Sequence, residues 1–173
     1  MSDPVNDPDT TMPVVESSPT LLGCPLTDSR GQTVLHPRRD QWLDVIDALI
    51  ADGYRICVDL TAVDYLNHMA RPLPADIAPE RFEVVANLLD ITKRRRIRLR
   101  VQVGESDPVM PSLFDRYPGT EAMEREVFDM FGISFEDHPD LTRILMPEDW
   151  VGHPLRKDYA VGSIPVQFKG AHQ

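Results

Sequence analysis

The sequence predicts a two-layer α+β domain, with helices on one face of a mixed, largely antiparallel sheet, a flexible N-terminal leader and an extended C-terminal tail. Three observations predict this fold class. Apolar residues recur at helical spacing over Trp42–Ile50 and Met123–Phe131. They alternate with polar residues over Tyr54–Leu60 and Arg96–Val103, the mark of strands with one buried face. The order is helix, strands, helix, without the regular strand–helix repeat of a parallel α/β sheet. The boundaries read as 1–25 for the leader, 26–135 for the domain and 136–173 for the tail.

Residues 1–25 mix Pro4, Pro8, Pro13, Pro19 and Pro25 with Asp, Ser and Thr, a composition that buries too little apolar surface to offset ordering entropy. The turn signal Ser29-Arg30-Gly31 leads into an extended piece over Gln32–Leu35. Pro37 then precedes a helix whose inner stripe is Trp42, Val45, Ile46, Leu49 and Ile50, with Asp44, Asp47 and Asp52 opposite and Gly53 as a left-handed stop. Tyr54, Ile56, Val58 and Leu60 form the inward face of the next strand, and the proline-bearing stretch 61–79 reads as a surface loop. Arg81–Asp90 is more continuously apolar, which fits a central strand. Arg96–Val103 should pair with it antiparallel through a short connection at Ile91–Arg94. Pro108 and Pro111 lead into a helical turn over Ser112–Tyr117, broken by Pro118-Gly119. Thr120 caps a helix over Glu121–Phe131 that buries Met123, Val127, Met130 and Phe131 and stops at Gly132.

The tail carries Leu141, Ile144, Leu145, Met146, Trp150, Leu155, Tyr159, Ile164, Val166 and Phe168 between Pro139, Pro147, Pro154 and Pro165. The prolines forbid a long helix, and so apolar a segment needs a surface to lie on. Either it folds back over its own sheet or it wraps a second protein in extended form, burying on the order of 1,000 Å².

Composition narrows the function. A net charge of −10 argues against a general nucleic-acid binder. Cys24 and Cys57 stand far apart, so no iron–sulfur cluster or zinc site can be assembled from thiolates of this chain, and both read as free thiols. The first ten residues, MSDPVNDPDT, lack the apolar core of a signal peptide. No apolar run approaches the ~18 residues of a membrane span, so membrane contact would go through a partner.

Nucleophile-elbow, Walker and Gly-x-Gly-x-x-Gly patterns are absent from the sequence. His138 and His153, each followed by proline, sit among Asp137, Asp140, Asp149 and Asp158, where a carboxylate-rich metal site is conceivable. No two histidines lie one helical turn apart, so a structural role for each, fixing a turn, fits better. Arg125 lies four residues from both Glu121 and Asp129 and can pair along a polar helix face, while Glu124 and Glu126 point to different sides and can meet a partner's cations. Arg96, Arg98 and Arg100 share one strand face without interleaved aromatics, which favours a solvated or partner-facing surface over nucleic acid. A free-standing hydrolase using His138 or His153 is the alternative from a different class.

The ordered series Glu124-Arg125-Glu126, Asp129-Met130-Phe131-Gly132-Ile133, Phe135, His138-Pro139-Asp140-Leu141, Arg143-Ile144-Leu145 and Gly152-His153-Pro154-Leu155-Arg156-Lys157-Asp158-Tyr159 carries a resemblance. In residues and spacing it resembles the 30-kilodalton, or C, subunit of respiratory complex I, the proton-pumping NADH:quinone oxidoreductase. A weaker likeness reaches back to Asp59–Tyr65 and to Arg81-Phe82, while Ala122 and Thr142 depart from the family pattern. The resemblance implies a scaffold with no catalytic residue and no cofactor of its own, FMN, iron–sulfur clusters and quinone belonging to partner subunits. It implies a peripheral place in the hydrophilic arm on the cytoplasmic face of the plasma membrane, docked on the D subunit beside the quinone site and near the B and I iron–sulfur subunits. The partner interface expected on these grounds comprises Glu124, Arg125, Glu126, Asp129, His138, Pro139, Arg143, Trp150, His153, Pro154, Leu155, Arg156, Lys157, Asp158 and Tyr159. Equivalent subunits of membrane-bound hydrogenases, or of quinone dehydrogenases fed by other donors, are the alternative within the same superfamily.

Overall fold

The structure, a computed structural model, describes residues 19–160. The leader before Pro19 and the tail residues Ile164, Val166 and Phe168 lie outside the described residues. Strands β1 (Thr20–Leu21), β2 (Cys24–Ser29), β3 (Gln32–Leu35), β4 (Ile56–Asp64), β5 (Phe82–Asp90) and β6 (Arg95–Val103) form one sheet in the order β1-β2-β3-β6-β5-β4. All neighbours are antiparallel except β3 with β6, which gives the mixed, largely antiparallel sheet that the patterns predict. Continuously apolar β5 sits between β6 and β4, as expected of an interior strand. The sheet begins earlier than the composition suggests: β1 lies inside the stretch expected as leader, and Cys24 is wholly buried.

Helices α1 (Trp42–Ala51) and α2 (Glu121–Phe131) cover one face of this sheet. Their stripes, Trp42, Val45, Ile46 and Leu49 with Val127, Met130 and Phe131, join the inward residues of β4, β5 and β6 in a single core. On β5 and β6 the inward set is Phe82, Val84, Ala86 and Leu88 with Ile97, Leu99, Val101 and Val103, the two-residue period of a pleated strand. A second, two-stranded parallel pair, β7 (Val109–Pro111) with β8 (Ser134–Glu136), ties the segment before α2 to the segment after it.

β4 departs from its sequence pattern. Ile56 and Val58 are exposed, because a bulge between Cys57 and Asp59 adds a residue and changes the inward parity. Cys57 lies opposite buried Leu88, and beyond the bulge Leu60 lies opposite Ala86. The strand then runs on to Asp64, through the start of the stretch expected as loop. The rest of that stretch is held on the helix-free face by buried Arg71, which stacks 3.7 Å over the Tyr65 ring, donates to the Glu80 carbonyl (3.1 Å) and to the Gln102 side chain, and faces Glu83. The turn before Pro118 ends at Tyr117, and Pro118–Thr120 then forms a 3-10 turn that feeds directly into α2. Thr120 therefore has helical backbone angles, and its hydroxyl donates to the Glu124 carboxylate (2.9 Å) in place of capping the helix.

Candidate docking site

The carboxylates of α2 organise the region singled out by the sequence. Glu124 lies one turn before Val127 and two before Phe131, so the helical period turns it inward, where it is fully buried. It accepts from the Ser112 hydroxyl (2.6 Å), the Leu113 N–H (2.8 Å) and the Thr120 hydroxyl (2.9 Å). Burial pushes this carboxyl above its ordinary value, the three donors pulling the other way. Glu124 is thus an internal brace between α2 and the turn before it, and an enclosed side chain offers no surface to a partner's cation.

Asp129, also fully buried, does not pair with Arg125 along the helix. One oxygen accepts consecutive N–H groups from Ile144 (3.1 Å), Leu145 (2.8 Å) and Met146 (2.8 Å), and the other meets Arg143 at 2.5 Å. Burial would raise this carboxyl, but those N–H groups and the guanidinium hold it below its ordinary value. Arg125 instead pairs with Glu121 (2.9 Å) and donates to the Thr142 carbonyl (3.1 Å), the Thr142 hydroxyl (3.0 Å) and the Arg143 carbonyl (3.2 Å).

A second anchor lies at the end of β4. Asp64 accepts from the Lys157 N–H (2.9 Å) and the Leu66 N–H (2.9 Å), and binds Arg81 through both oxygens at 3.2 and 2.9 Å. Burial works against the charge on Asp64, yet Arg81 and the two N–H groups keep its carboxyl below the ordinary value. Arg81 also reaches Asp158 (2.6 Å) and Glu105. Between the anchors, the last carbonyls of α2 take up the tail: Leu155 N–H donates to Met130 (3.1 Å), the His153 ring to Asp129 (3.0 Å) and Arg156 to Phe131 (2.6 Å). These contacts crowd Gly132, whose left-handed φ of 71° closes the helix. A Cβ there would lie 2.5 Å from His153 Nε2 and 2.6 Å from an Arg156 nitrogen.

The tail's backbone faces inward while its apolar side chains do not. Ile144, Leu145, Val151 and Leu155 are 41%, 59%, 86% and 48% exposed. Leu141 and Met146 alone among the described apolar tail residues pack against the core. The His138 ring fixes a turn, as expected, whereas the His153 ring reaches across to the Asp129 carbonyl of α2. His138 receives the Asp140 N–H at Nδ1 (3.1 Å), so its Nε2–H points at the Glu121 carbonyl (3.1 Å), and neither nitrogen is left for general-base work. Burial lowers the His153 pKa. Glu126, Pro139, Lys157 and Asp158 are exposed; Pro154, Tyr159 and Trp150 are half-buried. Arg143 and Arg156 are committed to their own chain. Among the described residues no cluster of histidine, cysteine and carboxylates suits a metal ion.

Asp64 and Arg81, which share the anchoring with Asp129, are absent from the sequence-derived interface. A signal for Asp64 exists: it stands two residues after Ala62 and four after Leu60, at inward parity in an otherwise apolar row.

The family model described as respiratory-chain NADH dehydrogenase, 30 Kd subunit, matches residues 35–164. The C subunit of the NADH-quinone oxidoreductase of Saccharopolyspora erythraea is 43% identical over 149 residues, covering 84% of this chain and 56% of that protein. Its counterpart in Salinispora arenicola is 44% identical over 145 residues, covering 82% and 56%. The chain therefore spans little more than half the length of these relatives. The trypsin-resistant fragment (1–134) of Nqo5 superimposes with a TM-score of 0.61 at 34% identity, over 69% of this chain and 90% of that one. A chain of the membrane-bound sulfane sulfur reductase, an archaeal respiratory membrane complex, matches with a TM-score of 0.61 at 20% identity, over 80% and 78%, a likeness of fold alone.

Proposed function

The chain belongs to the family of 30-kilodalton subunits of respiratory-chain NADH dehydrogenase, and from that premise we propose that it is a non-catalytic scaffold subunit of a proton-translocating NADH:quinone oxidoreductase. The observation that carries this reading is the inside-out tail: its backbone is tied to α2 and β4 by two buried carboxylates, while Ile144, Leu145, Val151 and Leu155 point outward. Preorganised apolar anchors lose little entropy on association, which is what a stable contact between subunits requires. The D subunit, beside the quinone site, is the partner this array would meet, with the B and I iron–sulfur subunits nearby. FMN, the clusters and quinone would be held by partner subunits. No helix among the described residues is long and apolar enough to cross a membrane. A peripheral position on the cytoplasmic face of the plasma membrane would come through the complex.

The test replaces the display without touching the anchors. Leu145→Glu combined with Val151→Glu alters exposed side chains only, so the melting temperature is expected to stay within a few degrees. Co-purification with the tagged D subunit from detergent-solubilised membranes is expected to fall at least about tenfold. Undiminished capture, or a flavin or metal bound to the purified chain, rejects the scaffold reading.

A further inference from the structure

The sheet face opposite the helices is covered only in part. Arg71 pins the 66–80 segment over one end of it, but Arg94, Arg96 and Arg98 lie beyond that cover. Arg100, next in the row, is neutralised by buried Glu83 at 2.6 Å. Arg94, Arg96 and Arg98 have no carboxylate within ion-pair distance among the described residues, although the whole chain carries ten more formal negative than positive charges. Arg98 has only the neutral Asn87 amide oxygen, at 2.9 Å. Asp59, opposite Asn87, is the nearest free carboxylate by register and stands at the rim. Two shallow depressions of about 630 and 430 Å³ run along this row. Their floor is mixed: Leu89 is Arg96's partner across the strands and Val85 is Arg100's, with Val34 and Val63 beyond, and Asn87, Thr61 and the Arg100-paired Glu83 share it.

We infer that this groove binds an extended, acidic polypeptide segment of a partner protein. Alternate residues of β6 stand roughly 7 Å apart, the spacing of same-side residues in an extended peptide laid along the strand. Carboxylates at every second position can meet successive guanidiniums, each a charge-assisted contact, while the residues between them point away from the sheet. A nucleic acid would find Tyr65 as the aromatic beside Arg98 and Arg100, its ring already stacked by Arg71, and would meet the repulsion of a strongly acidic protein. The groove lies on the face away from α2, so this surface is independent of the tail array.

The probe is a fluorescein-labelled peptide of alternating Glu and Val, with a Gln-for-Glu version and an oligothymidine of equal length as competitors, titrated by anisotropy against the full chain. R96E/R98E is expected to weaken the acidic peptide at least about tenfold, whereas R38E/R116E, an equal charge change away from the groove, is expected to stay within about threefold. R96Q/R98Q provides the milder variant, and thermal melts of all three confirm folding. Equal binding of the Gln peptide, tighter binding of the oligothymidine, or equal losses from both arginine pairs overturns the proposal.

Discussion

Glu124 and Asp129 share one helix and are equally buried, yet burial wins at the first and hydrogen bonding at the second. Glu124 receives two hydroxyls and one N–H; Asp129 receives three N–H groups and a guanidinium. Opposite pH responses follow. The depressed Asp129 carboxyl stabilises the tail's attachment above the unfolded value of about 3.9, and that contribution is lost as pH falls through the lower folded value. The raised Glu124 carboxyl is the reverse: its contribution is full below the unfolded value of about 4.3 and is lost as pH rises through the higher folded one. Glu124→Gln is therefore expected to flatten the decline of melting temperature within that window, between the unfolded and the raised folded value, as thermal scans across pH will read. Asp129→Asn keeps the shape but turns one acceptor into a donor facing other donors. Amide exchange at Ile144, Leu145 and Met146 is expected to quicken by on the order of tenfold or more, with the β5 and β6 amides unchanged. Glu124 reads in the sequence as a contact for a partner's cations, although its place on the stripe of Val127 and Phe131 marks it as inward. The partners of Asp129 were not legible, because they come from a proline-punctuated stretch whose pattern says only that it is not a long helix.

Among the elements, sequence periodicity was reliable where one strand face meets the helices and failed at the β4 bulge. Tyr54–Leu60 alternates without interruption, and nothing in it marks the extra residue that places Ile56 and Val58 outside. Bounds of α2 and its glycine stop were readable because the apolar stripe and the left-handed cap agree. Gly132 has a second role that only the packing discloses, as the gap through which His153 and Arg156 reach the helix's last carbonyls. Gly132→Ala adds strain at positive φ to that clash. Its expected cost is about 2 kcal/mol or more, read by denaturant unfolding, with new proteolytic sensitivity confined to residues after 137.

For the whole molecule, the two-layer architecture followed from the order of elements, whereas the direction in which the tail faces did not. An apolar, proline-rich segment could have buried its side chains on its own sheet or offered them outward; buried carboxylates beneath its backbone decide the matter, and periodicity does not report on them. The domain also runs on past the glycine stop. Ile133 and Phe135 are buried and β8 pairs with β7, so a chain ended after Asp137 is expected to unfold cooperatively, while one ended after Gly132 is expected to lose several degrees of melting temperature. Circular dichroism melts of the two truncations will separate them, and neither is expected to capture the D subunit.

Every fastener of the tail sits on something made earlier in the chain: Asp64 on a finished sheet, Asp129 and three helix carbonyls on a finished α2. A nascent or damaged copy lacking those supports has no rigid apolar array to offer. On the proposed role, readiness to join an assembly is thereby conditional on having folded first.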